Sequence, residues 1–232
     1  MQTTEHTDTT LVDAFRPELP KVKAPASLSR RTVRLIMVVE GGNDIRFLKR
    51  VSRVLHEADP AIPDLKELEQ SGTLLFLPTA GSNLRFWTDR LAGLGIPELH
   101  LYDRESVPEF YDRQAAAAIV NLRPGCRAFV TSKRTLENYL DPRAIYDARG
   151  LEVEFGEQDD VPKLVACQIL ERSRGPSWSS LPSRARRRLI ASVKAWLNVE
   201  AVSRMSVERL AARDPAGDIR SWMNVITEMT RG

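Results

Sequence analysis

The sequence predicts an α/β fold: a doubly wound, mostly parallel four-stranded sheet followed by a helical subdomain. Three observations carry that expectation. Short apolar runs recur at residues 33–39, 74–77, 99–102 and 127–130. Between them lie segments with helical periodicity, long enough for right-handed crossovers. Beyond residue 141 strand signals nearly vanish and only helical patterns remain. The reading divides the chain into an arm (1–31), an α/β domain (32–141) and a helical subdomain (142–232).

The arm is rich in Thr, Pro and charge, with weak periodicity apart from residues 11–15. The first strand ends in Leu35-Ile36-Met37-Val38-Val39, an unbroken run that suits a central strand buried on both faces. A helix over 44–58 follows, with Ile45, Leu48, Val51, Val54 and Leu55 on one face and Asn43 or Asp44 as N-cap. Pro60 and Pro63 break it. The second strand closes at Pro78-Thr79-Ala80-Gly81, and Ser82 or Asn83 can cap a helix over 84–94 that Gly95 and Pro97 end. The third strand leads into Asp103-Arg104-Glu105, then an Ala-rich helix over 108–120. The fourth leads into Thr131 to Leu140. Helices are expected over 162–174, 184–197, 202–213 and 219–229.

Composition limits the partners. Net charge is +3 over 232 residues, which permits nucleic acid without implying it. Cys126 and Cys167 form no paired motif, so a reducing compartment is expected. No apolar run approaches the ~20 residues of a membrane helix, and Glu5 and Asp8 interrupt any signal-peptide core. A cytoplasmic protein without membrane contact is the expectation. His6, His56 and His100 match no metal-ligand spacing, and the four tryptophans read as core or interface residues.

The acids are more informative. In an open α/β sheet, ligands bind beyond the carboxyl ends of the strands. Glu40 ends the first strand, Asp103 and Glu105 end the third, Glu137 follows the fourth, and Asp44 opens the first helix on the same rim. Asp103 and Glu105, two apart in extended chain, point to the same side. Five carboxylates on one edge repel one another unless a cation joins them. All-oxygen ligands suit Mg²⁺ or Mn²⁺, and two such ions are the usual apparatus for displacement at a phosphodiester. Gly41 and Gly42 would let phosphate approach closely.

Taken singly, each motif has a plainer reading. Glu40-Gly41-Gly42 is a strand-to-helix turn, Asp44 an N-cap, Asp103-Arg104-Glu105 a solvated loop, and Glu137 an exposed helix residue. Their joint placement on one rim is what argues for a site. Lys133 and Arg134, beside Glu137, either neutralise the acids structurally or contact a scissile phosphate. Arg184, Arg186, Arg187 and Arg188, with Arg172 and Arg174 upstream, form either a solvated face or a backbone-binding patch for nucleic acid.

Val39-Glu40-Gly41-Gly42-Asn43-Asp44, Gly81, Asp103-x-Glu105 and Thr135-Leu136-Glu137-Asn138-Tyr139-Leu140 together resemble a Rossmann-like TOPRIM domain. The likeness is closest to the TOPRIM nuclease half of the OLD (overcoming lysogenisation defect) endonucleases. It implies that Glu40, Asp103 and Glu105 bind one metal and that Asp44 and Glu137 help bind a second; Lys133, from its place beside Glu137, is the candidate catalytic cation. The chain carries Asp-x-Glu where TOPRIM domains usually carry Asp-x-Asp. The resemblance implies a metal-dependent DNA or RNA endonuclease, acting as the effector of an anti-phage defence system under a separate ABC-type ATPase, since no GxxxxGK[ST] loop is present here. The competing expectation is a catalytically weak TOPRIM subunit that docks on such an ATPase.

Overall fold

Leu35–Val39 (β1), all five residues buried, is the central strand of a parallel sheet. The structure is a computed structural model and describes residues 32–79, 84–174 and 176–231. The expected arm, Gly81 and the Ser82 and Asn83 caps lie outside the described residues. Gly42–Ala58 (α1) and Leu65–Gln70 (α2) lead to Leu74–Pro78 (β2), and Leu84–Ala92 (α3) leads to Glu98–Tyr102 (β3). Glu109–Asn121 (α4) then leads to Cys126–Val130 (β4). The order across the sheet is β2-β1-β3-β4, and every pairing is parallel.

Alternation along β1 sorts the layers. Leu35, Met37 and Val39 join Phe47, Leu48, Val51 and Leu55 of α1 in the main core. Ile36 and Val38 join Leu91 of α3 on the other face. On β3, Tyr102 packs with Ala116, Ala117 and Val120 of α4. The sheet therefore lies between two helical layers, as parallel sheets require.

The remaining helices are Pro142–Arg149 (α5), Val161–Arg172 (α6), Ser183–Trp196 (α7), Val207–Arg213 (α8) and Asp218–Arg231 (α9). Val193, Trp196, Trp222 and Met223 from this region share one apolar cluster with β1 and α1. That cluster crosses the boundary expected at residue 141. None of the described helices is long and apolar enough to cross a membrane.

Several elements differ from expectation for local reasons. α2 exists because the Asp64 carboxylate accepts from the Lys66 and Glu67 N–H groups. α5 has Asp141 as N-cap, Pro142 in its first turn and Gly150 (φ 64°) past its end. The single helix expected over 202–213 is two pieces, because Ser206 leaves the helix and caps α8 through the Arg209 N–H. α1 starts at Gly42, not Asp44, and its N-cap is Gly41.

Phe47 is fully buried between α1 and the sheet. Phe47→Ala is expected to cost about 3–5 kcal/mol and to lower Tm by roughly 10 °C or more. Thermal unfolding followed by circular dichroism checks this.

Candidate metal centre

β1 has β2 on one side and β3 on the other, so the crossovers reverse direction between β1 and β3. A doubly wound sheet opens a crevice at that point, beyond the strands' carboxyl ends. Val38 is level with His100 in the register. Glu40 is two residues beyond Val38 and Asp103 three beyond His100, so both emerge at this crevice. Glu40, Asp103 and Glu105 each offer a carboxylate oxygen, and these atoms lie within 4.8 Å of one another. Among the described residues this is the acidic group compact enough to hold an ion.

Glu105 reaches the group differently from the extended path expected. Its φ is 53°, a left-handed turn that costs a non-glycine residue on the order of 1 kcal/mol. Two bonds hold the turn: Glu105 N–H to Arg134 O at 2.9 Å, and Arg104 N–H to Thr131 Oγ1 at 2.8 Å. The β3 loop is thereby tied to the β4 loop. Neither glycine after Glu40 is demanded by internal packing. Gly41 is extended, and a Cβ at Gly42 would meet nothing within 4 Å.

Asp44 and Glu137 lie behind this group. The Asp44 carboxylate accepts from the Gly41 N–H at 2.7 Å, turned back to the helix start. Glu137, in a 3₁₀ turn (Leu136–Tyr139), is fully buried. Its Oε1 accepts from Asn198 Nδ2 at 2.6 Å, while Oε2 is buried with no partner. Between them comes a cation that the motif pattern did not indicate. Lys194 Nζ is 3.7 Å from Glu137 Oε1 and 4.0 Å from Asp103 Oδ2. Lys194 is near the end of α7, and Asn198, one turn on, donates also to the Lys194 carbonyl at 2.8 Å. A lone lysine flanked by buried Val193 and Trp196 is the sequence signal that could have found it.

The electrostatics follow from burial. Asp103 is held well above the ordinary carboxylate range, first by burial and then by Asp44, with Lys194 opposing. Asp44 is pushed up to about 6, first by burial, then by Glu137 against Lys194. Glu40 is raised by burial, countered by Arg113. Burial alone would lower Lys194, but Glu137, Asp103, Asp44 and Glu40 outweigh it and keep the ammonium charged well beyond its usual range. Asp103, Asp44 and Glu40 favour protons until more positive charge arrives.

The other expected site residues separate. Lys133 is not among the carboxylates: its Nζ donates to Glu157 Oε1 at 2.9 Å and lies 5.4 Å from the Tyr139 ring centroid. Arg134 is nearer, with Nε 3.9 Å from Glu105 Oε2 and a terminal nitrogen 3.7 Å from Asp160. Arg184, Arg187 and Arg188 are exposed on the first turns of α7, with no carboxylate partner among the described residues. Arg186 instead covers the Trp178 ring at 6.0 Å and bonds Ser183 Oγ. Arg172 is used to bind the Gly150 carbonyl. His100, bonded to Glu98 and the Tyr102 hydroxyl at 2.7 Å each, is internal. Arg113 of α4 was also missed: it forks onto Glu40 from a helix position in line with Ala116, Ala117 and Val120, where an arginine interrupts an apolar stripe.

The chain resembles the C-terminal region of OLD proteins. The C-terminal region of the Burkholderia pseudomallei OLD protein is 19% identical, with a TM-score of 0.49 over 85% of this chain and 98% of that one. That of the Xanthomonas campestris pv. campestris OLD protein is 17% identical in one structure, with a TM-score of 0.48 over 86% of this chain and 94% of that one. In another it is 16% identical, with a TM-score of 0.47 over 86% and 96%. No family model and no curated protein matches the chain. At such identity the likeness concerns fold, and the role of each residue rests on its own geometry here.

The raised acids set a pH dependence. Asp44 in the folded chain titrates near 6 against a usual 3.8, so between these values the folded state keeps a proton that the unfolded state has lost. This stabilisation is present below about pH 4 and is lost as pH rises through 6; Asp103 and Glu40 act with the same sign. With EDTA present, Tm is expected to be roughly 5–10 °C higher at pH 5 than at pH 7.5. Asp44→Asn should shrink that difference. Melting at a range of pH values checks it, and equal Tm at the two would count against it.

Proposed function

We propose that this chain is a divalent-metal-dependent nuclease that hydrolyses phosphodiester bonds in DNA or RNA. The observation that carries the reading is the convergence of Glu40, Asp103 and Glu105 at the sheet's switch point, with carboxylate oxygens within 4.8 Å. Hard, all-oxygen donors at this spacing fit Mg²⁺ or Mn²⁺, and the upward shifts of Glu40 and Asp103 fit residues that wait for positive charge. When bound, such an ion supplies Lewis-acid polarisation of a phosphoryl oxygen.

The chain's own residues do the rest in this reading. Lys194, held charged by four acids, offers its ammonium to the negative charge that develops at the phosphorus centre. Asn198 and Lys194 keep the Glu137 carboxylate in place. Arg134 lies at the Glu105 side, within reach of an approaching phosphate. Lys133 has no part, being engaged with Glu157. In one version Lys194 is the second cation beside a single ion. The partnerless Glu137 Oε2 favours the other, with a second ion at Asp44 and Glu137. The stoichiometry of a calorimetric Mn²⁺ titration separates them. The sequence resemblance extends the proposal to an anti-phage effector controlled by a separate ATPase; co-purification with such an ATPase tests that part.

α7 supports nucleic acid as substrate. At 100° per residue, Arg187 falls within about 20° of Lys194 around the helix and roughly 10 Å along it. Arg184 lies nearly a turn further on and about 80° from Lys194 around the helix, between Arg187 and Arg188. Their unneutralised guanidiniums would lead a phosphate backbone toward the carboxylates. Arg188 diverges by about 120°, and Arg186 is turned to Trp178.

Nicking of plasmid DNA and degradation of RNA, each with Mg²⁺ or Mn²⁺, test the activity. Glu40→Gln and Asp103→Asn should each reduce it on the order of 100-fold or more, and Lys194→Met by a similar factor. Cleavage that persists in EDTA would refute the reading. Binding of a short duplex in Ca²⁺ tests the helix separately. Arg187→Ala should weaken it most and reduce the salt slope by about 0.9, Arg184→Ala should weaken it less, and Arg188→Ala should change it least.

A further inference from the structure

Arg113 is on α4 and is 9% exposed, facing the sheet rather than solvent. Its Nε donates to Glu40 Oε1 at 3.2 Å, and one terminal nitrogen donates to Oε2 at 3.3 Å while lying 3.1 Å from Oε1. The fork thus engages both oxygens of one proposed metal ligand. The described residues give Arg113 no other hydrogen bond or ion pair. Were its purpose only to seat α4, an apolar residue like the neighbouring Ala116, Ala117 and Val120 would do so without desolvating a charge.

We infer that Arg113 is a positioning residue for the metal centre, a built-in counter-cation that holds the Glu40 carboxylate and moderates how tightly a divalent ion binds beside it. The inference rests on the metal reading above. Two consequences of opposite sign follow. The guanidinium stabilises the metal-free protein, because Glu40 is only 14% exposed at its side chain and faces Asp44 and Glu105, with Lys194 the weaker of the two cations that oppose them. It also repels an incoming dication a few ångströms away, so it weakens the final affinity. Asp103, Glu105 and Arg113 come from one continuous stretch running from the end of β3 into α4, so the segment that supplies two carboxylates also supplies the counter-cation of the third, Glu40.

The sign of the change in affinity separates this role from a merely structural one. Arg113→Gln keeps a donor and removes the charge; Arg113→Lys keeps the charge and removes the fork. Calorimetric titration with Mn²⁺ should show the Gln variant binding roughly tenfold tighter than wild type and the Lys variant within about threefold of it. Melting in EDTA should show the Gln variant less stable than wild type. A structural role alone predicts weaker metal binding with lower stability. Unchanged or weaker Mn²⁺ binding by a folded Gln variant overturns the inference and leaves the metal reading standing. If the Gln variant does not fold, a Lys variant whose affinity differs from wild type by more than about tenfold overturns it in the same way. Wild-type protein that binds no Mn²⁺ at millimolar concentration overturns both.

Discussion

Like charges gathered in a poorly hydrated place constrain the whole molecule. Glu40, Asp44, Asp103 and Glu137 approach one another where water screens them little, and each raises the cost of ionising its neighbours. Lys194 and Arg113 offset part of this from opposite sides. Lys194 comes from the C-terminal helices and Arg113 from α4. The acids at the sheet edge are therefore tolerable only because two distant segments return to meet them. Packing of the C-terminal helices on β1 and α1 and neutralisation of the rim are one event, since α7 contributes Val193 and Trp196 to the core and Lys194 to the acids.

Much of the fold was legible because the dominant signals are local. Leu35 to Val39 is buried on both faces, so its apolar run is continuous and readable as a central strand. β2, β3 and β4 end at Pro78, Tyr102 and Val130, within a residue of the expected positions. Helix ends were less legible, because they depend on single side chains choosing to cap. Ser206 turns out of the helix to bond the Arg209 N–H, and Asp64 starts a short helix that its weak apolar pattern does not announce.

The site divides along a similar line. Acids that terminate strands are placed by topology alone, so Glu40 and Asp103 could be brought to one edge from sequence. Glu105 arrives by a left-handed turn that no periodicity encodes. The cations could not be placed, because a helix fixes which residues share a face but not which face meets the sheet. Lys133 is only four positions before Glu137 yet turns toward Glu157, while Lys194, 57 positions after Glu137, turns toward it. Proximity along the chain was a poor guide to proximity in space.

The lacing of the β3 loop to the β4 loop bears on how this protein can vary. Surface loops ordinarily accept insertions at little cost, which is where lineages diversify. Here the Glu105 and Arg104 amides are fastened to Arg134 and Thr131, so extra residues in either loop would drag Glu105 away from Glu40. Neither loop can lengthen independently, and the two are expected to change in concert. Diversity among relatives should then accumulate elsewhere on the surface, away from this paired rim.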